Sequence, residues 1–577
     1  MKKLLIFLVP VLAFCLLNMT SCKDEEEEMP RLFRPAFVAS SCFAEGNTIS
    51  LSWRTSGEAT SYTVELSRDA TFQSDPDEVQ TVSKGKCSFS NLRYETAYYV
   101  RVRANNESLD VISNWTEYTS SIKTLTRVVP KLLYAPDEYQ ITENSAAIEW
   151  VVSDKNPVDG VAVWQADGSS AESGEMRFDL SESEKTSGKY VISGLAPRTS
   201  YYVALTNSKA PEGADKYNQQ KFTTAGMPAD AVLVTDGADL MAKIKEGMTD
   251  AGKSALIFQL QNGVDYYLST TGIAGASTGD ITLTKSIAFL ANPGEHPTLY
   301  IYKGGFVVKP TANSMPEIEY FIVENVNVEE PVGSGTSGGS KTRLLNISKH
   351  DAGTDITIDR LEVRNSDIVL PSCLLMMADA SEGMTTINHI RIDKCKVTGI
   401  NDTKYVTKQF GFIHAVSKGS NVWNDVSVSN STFYEFYISP GVFGVLTADA
   451  PVSEKSKVVI SNCTFYNWAT AKAAYTAIGD FSKLTTGLSL SVNACVFGLS
   501  TGKALVPGVC NLTAKNNYCT TDFAQMSDTG LTLIDLGVSD VALFRNAEEF
   551  DFSITDFSST VYLQEYGDPR WITIPEN

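Results

Sequence analysis

Val428-Ser-Asn-Ser-Thr-Phe433, Ile460-Ser-Asn-Cys-Thr-Phe465 and Val492-Asn-Ala-Cys-Val-Phe497 are one six-residue phrase written three times, 32 residues apart. Looser copies extend it: Val323-Glu-Asn-Val-Asn-Val328, Ile358-Asp-Arg-Leu-Glu-Val363 and Ile392-Asp-Lys-Cys-Lys-Val397 upstream, and Ala514-Lys-Asn-Asn-Tyr-Cys519 downstream. Successive starts are separated by 35, 34, 36, 32, 32 and 22 residues. A recurring period of this length means stacked units that bury a core only against one another. Helical repeats of similar length need apolar stripes at period 3.6. These phrases instead alternate at period 2 and use Val, Ile, Thr and Phe, the residues of strands. Positions one, four and six are mostly apolar, which a straight strand cannot direct to one side. A bend at position three resolves this, and Asn325, Asn430, Asn462 and Asn516 stand there, a residue type that tolerates the left-handed conformation.

Turns of chain stacked about 4.8 Å apart place like residues in columns. Phe433, Phe465 and Phe497 are then an internal aromatic ladder. Cys395, Cys463 and Cys495 are a second column, read as small buried hydrophobes, with disulfides between neighbouring turns as the alternative. Upstream, the stretch from Asp239 to Glu246 reads as a short amphipathic helix that caps the open end of such a coil. Strand segments Ser286-Ile-Ala-Phe-Leu290 and Thr298-Leu-Tyr-Ile-Tyr302 follow it. The coil is assigned to residues 229–577.

Before the coil the period-2 pattern comes in shorter strands. Thr48-Ile-Ser-Leu-Ser-Trp53 and Tyr62-Thr-Val-Glu-Leu66 alternate with Trp53 inward. Leu92, a turn, and Thr96-Ala-Tyr98-Tyr-Val100-Arg-Val102 follow, and the arrangement recurs as Ile148-Glu-Trp150 and Leu195-Ala-Pro-Arg-Thr-Ser-Tyr201-Tyr-Val203. The Leu-turn-Thr-x-Tyr-x-Val pattern resembles the tyrosine corner of fibronectin type III domains, in which a buried Tyr hydroxyl returns to backbone. Two such sandwiches are assigned, 36–126 and 127–226. They read as spacers, with a glycan-binding face on Trp115 or Trp164 as the other reading. Cys42 and Cys87 fall in the first sandwich, where they either pair or remain separate thiols.

The chain starts with a basic Met1-Lys2-Lys3 and an apolar run from Leu4 to Leu17, which is signal-peptide length rather than membrane-spanning length. Ser21-Cys22 resembles the lipobox of bacterial lipoproteins, with Met19 where Leu is usual. That implies a signal peptide over 1–21, lipidation of Cys22 and a linker over 22–35. The acidic run from Asp24 to Glu28 resembles the export signal of surface lipoproteins in the Bacteroidota, which implies a lipid anchor in the outer membrane, at the cell surface. The 577 residues carry a formal net charge of −20, which argues against nucleic acid as a partner. The Cys residues show no CxxC pair, so a zinc framework is not indicated.

The coil resembles the pectate-lyase-like right-handed parallel β-helix superfamily. More narrowly it is similar to the β-helix domains that follow fibronectin repeats in Bacteroidota polysaccharide-utilization loci, down to a Gly567-Asp-Pro-Arg-Trp571 ending. The expected fold is all-β: two fibronectin-like sandwiches, then a right-handed parallel β-helix behind a short capping helix. The resemblance implies work beside a TonB-dependent importer and its partner lipoprotein, on a polysaccharide such as pectin.

The resemblance does not supply a catalytic set. The Asp clusters, Gly-His-Gly and Arg-Ile-Lys of polygalacturonases, the Trp-Ile-Asp-His and Arg-x-Pro-x-x-Arg of pectate lyases, and the paired motifs of pectin methylesterases are missing from the sequence. No catalytic residue is assigned and no cofactor beyond Ca²⁺. Asp379, Asp449 and Asp480 follow the first strand of successive turns, where they either line a Ca²⁺ groove or cap turns. Between Lys341 and Ser420 the chain is slightly basic, with eleven Lys/Arg against nine Asp/Glu. Arg343, Lys349, Arg364, Lys404, Lys408 and Lys418 suggest a local stripe for an anionic glycan. Trp423 and Trp468 are expected to be partly exposed sugar platforms, and Lys408 and His414 to flank one ligand-facing strand. The reading is a non-catalytic surface glycan-binding lipoprotein. A divergent polysaccharide lyase and a structural or adhesive surface protein are the alternatives.

Overall fold

The computed structural model describes residues 31–166, 174–269, 278–331, 342–370, 373–377, 383–398, 412–415, 420–434, 442–448, 456–467, 475–480, 488–499, 510–523 and 531–573. The chain divides into two compact units. One runs to Lys131 and includes Lys155–Gly160 and Leu205–Asn218; the other holds Leu132–Asp154, Val161–Ala204 and the residues from Gln219 onward.

In the first sandwich, one sheet joins Ala36–Phe37, Thr48–Arg54, Phe43–Glu45 and Lys86–Phe89, and the other orders Ile122–Lys123, Ala97–Asn106, Ser61–Ser67 and Glu78–Val82. The alternation read from sequence holds: Ile49, Leu51 and Trp53 are buried between the sheets, with the Tyr62 ring 5.5 Å from that of Trp53. Cys42 and Cys87 are both free thiols. The corner closes as a circuit. Arg93 N donates to Tyr98 Oη (3.2 Å), Thr96 N donates to Thr124 Oγ1 (3.0 Å), and Thr124 Oγ1 donates to Arg93 O (2.6 Å). The second copy repeats it: Ala196 N to Tyr201 Oη (2.9 Å), Thr199 N to Thr224 Oγ1 (2.9 Å), Thr224 Oγ1 to Ala196 O (2.6 Å). Its sheets pair Ser145–Glu149 with Lys189–Ser193, and order Met176–Asp179, Gly160–Gln165, Ser200–Thr206 and Lys216–Thr223.

From Val232 the chain visits three parallel sheets in rotation, which makes a parallel β-helix with three faces. Face A has ten strands among the described residues, from Val232–Val234 to Cys510–Lys515. Face B also has ten, from Asp265–Tyr267 to Ile534–Asp535. Face C has seven, from Gly279–Leu283 to Tyr475–Asp480. The helix Leu240–Thr249 buries Leu240, Met241 and Ile244 in the same core as the first rungs, as a cap must.

The six-residue phrase is the corner between faces A and B. Ser429 pairs with Ser461 and Phe433 with Phe465, so Asn430 and Asn462 sit in adjacent layers. The third position is left-handed in six of the seven copies: φ is 57° at Asn325, 55° at Lys394, 50° at Asn430, 51° at Asn462, 56° at Ala494 and 56° at Asn516. One copy was misplaced. Val323 pairs with Val363, and Val363 with Ile392. The second bend is therefore Asn365 (φ 47°), in Val363-Arg-Asn-Ser-Asp-Ile368. The face A strand Ile356–Arg364 is long, and Ile358, Leu361 and Val363 all point inward along it, so it imitates the phrase without turning.

The aromatic ladder stands as expected. Phe433 and Phe465 stack with centroids 5.4 Å apart, and Phe465 and Phe497 at 4.9 Å. Cys395, Cys463 and Cys495 are fully buried and free. Each thiol lies 3.3–3.4 Å from the carbonyl two residues before it. Ser366 and Ser431, in the same column, donate in the same way at 2.9 and 2.6 Å. The column thus selects a small side chain that can reach back to the bend.

Candidate functional site

The residues singled out from sequence do not converge. Arg343 is half-buried at the start of the face C strand Arg343–Ile347, its Nη1 3.2 Å from Asn346 Oδ1. Lys349 follows that strand and is exposed. Arg364 lies elsewhere, at the end of a face A strand. Its guanidinium is held by Glu324 (2.7 Å) and Glu362 (3.2 Å). Neighbouring cations are similarly tied: Arg391 to Asp393 (2.8 Å) and Lys396 to Asp367 (2.6 Å). The described part of the expected basic stripe is therefore split between two faces and partly neutralised. Lys404, Lys408 and Lys418 lie outside the described residues.

Trp423 is a correction. It is 1% exposed, inside the face A strand Ser420–Ser429 and opposite Ile387, where its ring fills the core. The sequence reading expected it to be a partly exposed platform, but the strand begins before it and carries it inward. Trp468 lies outside the described residues. His414 is buried in the face C strand Ile413–Ala415, between Met376 and Thr447 in register. His350 is a satisfied core histidine, with Thr354 Oγ1 and Thr385 Oγ1 at 3.0 and 2.8 Å from its ring nitrogens. Asp379 and Asp449 lie outside the described residues, and Asp480 ends a face C strand in register with Thr447. Among the described residues no group of three or more His, Cys, Asp or Glu could hold a metal ion.

The sandwich tryptophans are engaged too. Trp164 is buried against Tyr202. Trp115 is partly exposed, but the guanidinium carbons of Arg101 and Arg103 lie 4.5 and 4.6 Å from its ring centroid. Those cations occupy the ring on which a sugar would stack.

Two regions of the coil's surface are occupied by the chain itself. The first is the corner between faces A and B, near its start. There Glu138, from the stretch Leu132–Asp154, takes Asn365 Nδ2 (3.1 Å), Gly294 N (3.1 Å) and His296 Nε2 (3.3 Å). Burial alone would raise the Glu138 carboxyl, but these partners outweigh it and bring its pKa to about 2. The second is the ending noted in the sequence. Asp568 N donates to Thr464 Oγ1 (3.0 Å), Thr432 Oγ1 donates to Asp568 Oδ2 (2.7 Å), and Trp571 Nε1 donates to Thr432 Oγ1 (2.7 Å). Gly567 N donates to Ala494 O at 2.8 Å. A Cβ at Gly567, where φ is 85°, would meet Thr464 Oγ1 at 2.9 Å, so glycine is required for this approach. Gly567-Asp-Pro-Arg-Trp571 is a strap across three rungs.

A close carboxylate pair, Asp522 and Asp540, is also structural. Asp522 accepts from Asp540 N at the start of a short helix, and Asp540 Oδ2 accepts from Tyr466 Oη at 3.0 Å. Burial and the adjacent Asp522 raise Asp540 above the usual carboxylate value.

Sequence reasoning missed an open patch on face B. Tyr267 and Tyr300 stack there with centroids 4.9 Å apart, beside Asp265 and Glu329. The segment Thr298–Tyr302 was recognised as strand, but the outward side of Tyr300 follows only once its register with Tyr267 is known.

A family model of the fibronectin type III domain matches residues 35–122, the first sandwich. The solved chicken CNTN1 FN1–FN3 domains are similar at 15% identity, covering 34% of this chain and 69% of that one, with a TM-score of 0.15. A two-domain fibronectin type III segment of chicken tenascin is similar at 15% identity, covering 34% of this chain and 100% of that one, with a TM-score of 0.18. No curated protein matches the chain. Among the described residues no helix is long and apolar enough to cross a membrane.

Proposed function

We propose that this chain is a cell-surface glycan-binding lipoprotein of a polysaccharide-utilization system, anchored to the outer membrane through lipid on Cys22. The sandwiches hold the coil off the membrane, and the coil presents the binding surface to a polymer. Its partners are a TonB-dependent importer and that importer's companion lipoprotein. The observation that carries the reading is the outer side of the coil's parallel sheets, where side chains repeat in columns one rung apart in strand register. Such a surface matches a ligand that is itself a repeating chain. The acidic-polysaccharide form of the reading draws support from Lys349 and from basic residues outside the described ones, and loses the support of Arg364.

The test is affinity electrophoresis of the mature protein through gels containing pectins, neutral plant glycans or host glycosaminoglycans. Retardation by at least one is expected. Free migration through the whole panel overturns the proposal. Unsaturated uronate absorbing near 235 nm on prolonged incubation would instead establish a lyase.

A further inference from the structure

One outward column of face B runs Tyr267, Tyr300, Glu329, Val369, Thr398, Tyr434, Tyr466, one residue per rung. It carries tyrosines at both ends, and the two ends differ. At the far end the chain covers them. Tyr434 packs against Phe550 (4.6 Å) and Phe552 (5.8 Å), and Tyr466 against Phe552 (5.0 Å) and Phe544 (6.3 Å). At the near end Tyr267 and Tyr300 are partly exposed and stack on each other, 11° from parallel. Among the described residues they have no other ring partner.

Two carboxylates stand beside this pair. Asp265 is exposed, on the outward side of the same strand as Tyr267, and Glu329 is the next residue of the column after Tyr300. Asp265 takes a hydrogen bond from the Tyr267 hydroxyl, and no cation acts on Glu329 among the described residues. Burial, then the charge of Asp265, raises Glu329. Burial, then Glu329 and Asp265, pushes the Tyr300 hydroxyl up to about 12. The phenols are therefore neutral donors at any physiological pH, in a locally negative field.

We propose that Tyr267, Tyr300, Asp265 and Glu329 form a subsite for a neutral sugar residue within a glycan chain. The two rings cover each other's inner faces, so a pyranose packs its C–H face across their outward edges, as the tilted phenylalanines do at the far end of the same column. Carboxylates accept strong charge-assisted hydrogen bonds from adjacent sugar hydroxyls. The same two carboxylates repel a uronate, and the described residues place no cation beside them to offset this. The inference rests on the glycan-binding reading and deepens it, because it assigns this subsite a neutral rather than an acidic ligand.

The experiment compares the full chain with the double variant Tyr267→Leu/Tyr300→Leu, which keeps apolar volume, and with Asp265→Asn/Glu329→Gln, which keeps shape. The probes are a β-1,4-galactan, an arabinan, a xyloglucan, a mannan and polygalacturonate, with circular dichroism and melting temperature to establish folding. The expected result is retention by a neutral glycan that weakens about tenfold in the tyrosine variant, and weakens in the carboxylate variant while polygalacturonate retention rises. Neutral-glycan retention unchanged in both variants overturns the subsite and leaves the glycan-binding reading standing. Retention by polygalacturonate alone also overturns the subsite. Retention by nothing overturns both.

Discussion

In each sandwich a single tyrosine closes the fold. Tyr98 and Tyr201 each take one backbone N–H, and a threonine on a later strand returns to the same corner. In the coil the specification is repeated instead. The bend, the thiol-or-serine column and the phenylalanine ladder recur rung after rung, and their members are supported by equivalent residues one layer away. The sandwich concentrates its specification in a few atoms, whereas the coil spreads it along columns. A change in the corner should therefore act as the loss of one hydrogen-bonded circuit, and a change in a column as a hole in a continuous stack.

The largest test of that contrast is Phe465→Ala, which removes a ring stacked on both sides. It should cost about 3–5 kcal/mol as an unfilled core cavity. Denaturant titration of the coil's transition measures it, against Phe43→Ala, an exposed ring of the first sandwich. A loss no greater than in that control would mean the ladder is not core. The corner variants Tyr98→Phe and Tyr201→Phe should each cost about 1 kcal/mol and should match one another, since their circuits match. Unequal losses would show that surroundings, not the circuit, set the value.

A third test uses acid. The Glu138 pKa lies below its ordinary value of 4.5, at about 2. The stability it contributes is present above 4.5 and is lost as pH falls from there towards 2. Melting temperature against pH should show a steeper acid loss in the native chain than in Glu138→Gln, and parallel curves would refute the linkage. The smallest effect belongs to a conservative change in the thiol-or-serine column. Cys463→Ser, which installs the side chain already present at positions 366 and 431, should change stability by less than about 1 kcal/mol. Cys463→Leu should overpack and cost about 1–3 kcal/mol.

The same contrast explains what the sequence could reveal. Repetition made the coil legible: three near-identical phrases fixed the corner, the left-handed third residue and the ladder. It failed at Ile358–Val363, where a long straight strand happens to bury the same three positions. The sandwiches were legible through the corner, whose residues lie close together in the chain. Surface function was not legible in this way. Trp423 looked like a surface platform because composition says nothing of which side a residue faces in a strand of unknown start. Arg364 looked free because its partner Glu324 lies one rung, and 40 residues, away. The Tyr267–Tyr300 pair needed the same cross-rung register to be seen.

The strap has a consequence for how the coil comes apart. In a linear stack each layer feels only its neighbours, so ends fray and open one layer at a time. Asp568 and Gly567 bind Thr432, Thr464 and Ala494 together, which lets no one of those layers leave without breaking the tie to the others. Amide exchange across this stretch should then report one shared opening free energy instead of a gradient, and cutting the tie with Asp568→Ala should turn the plateau into a slope.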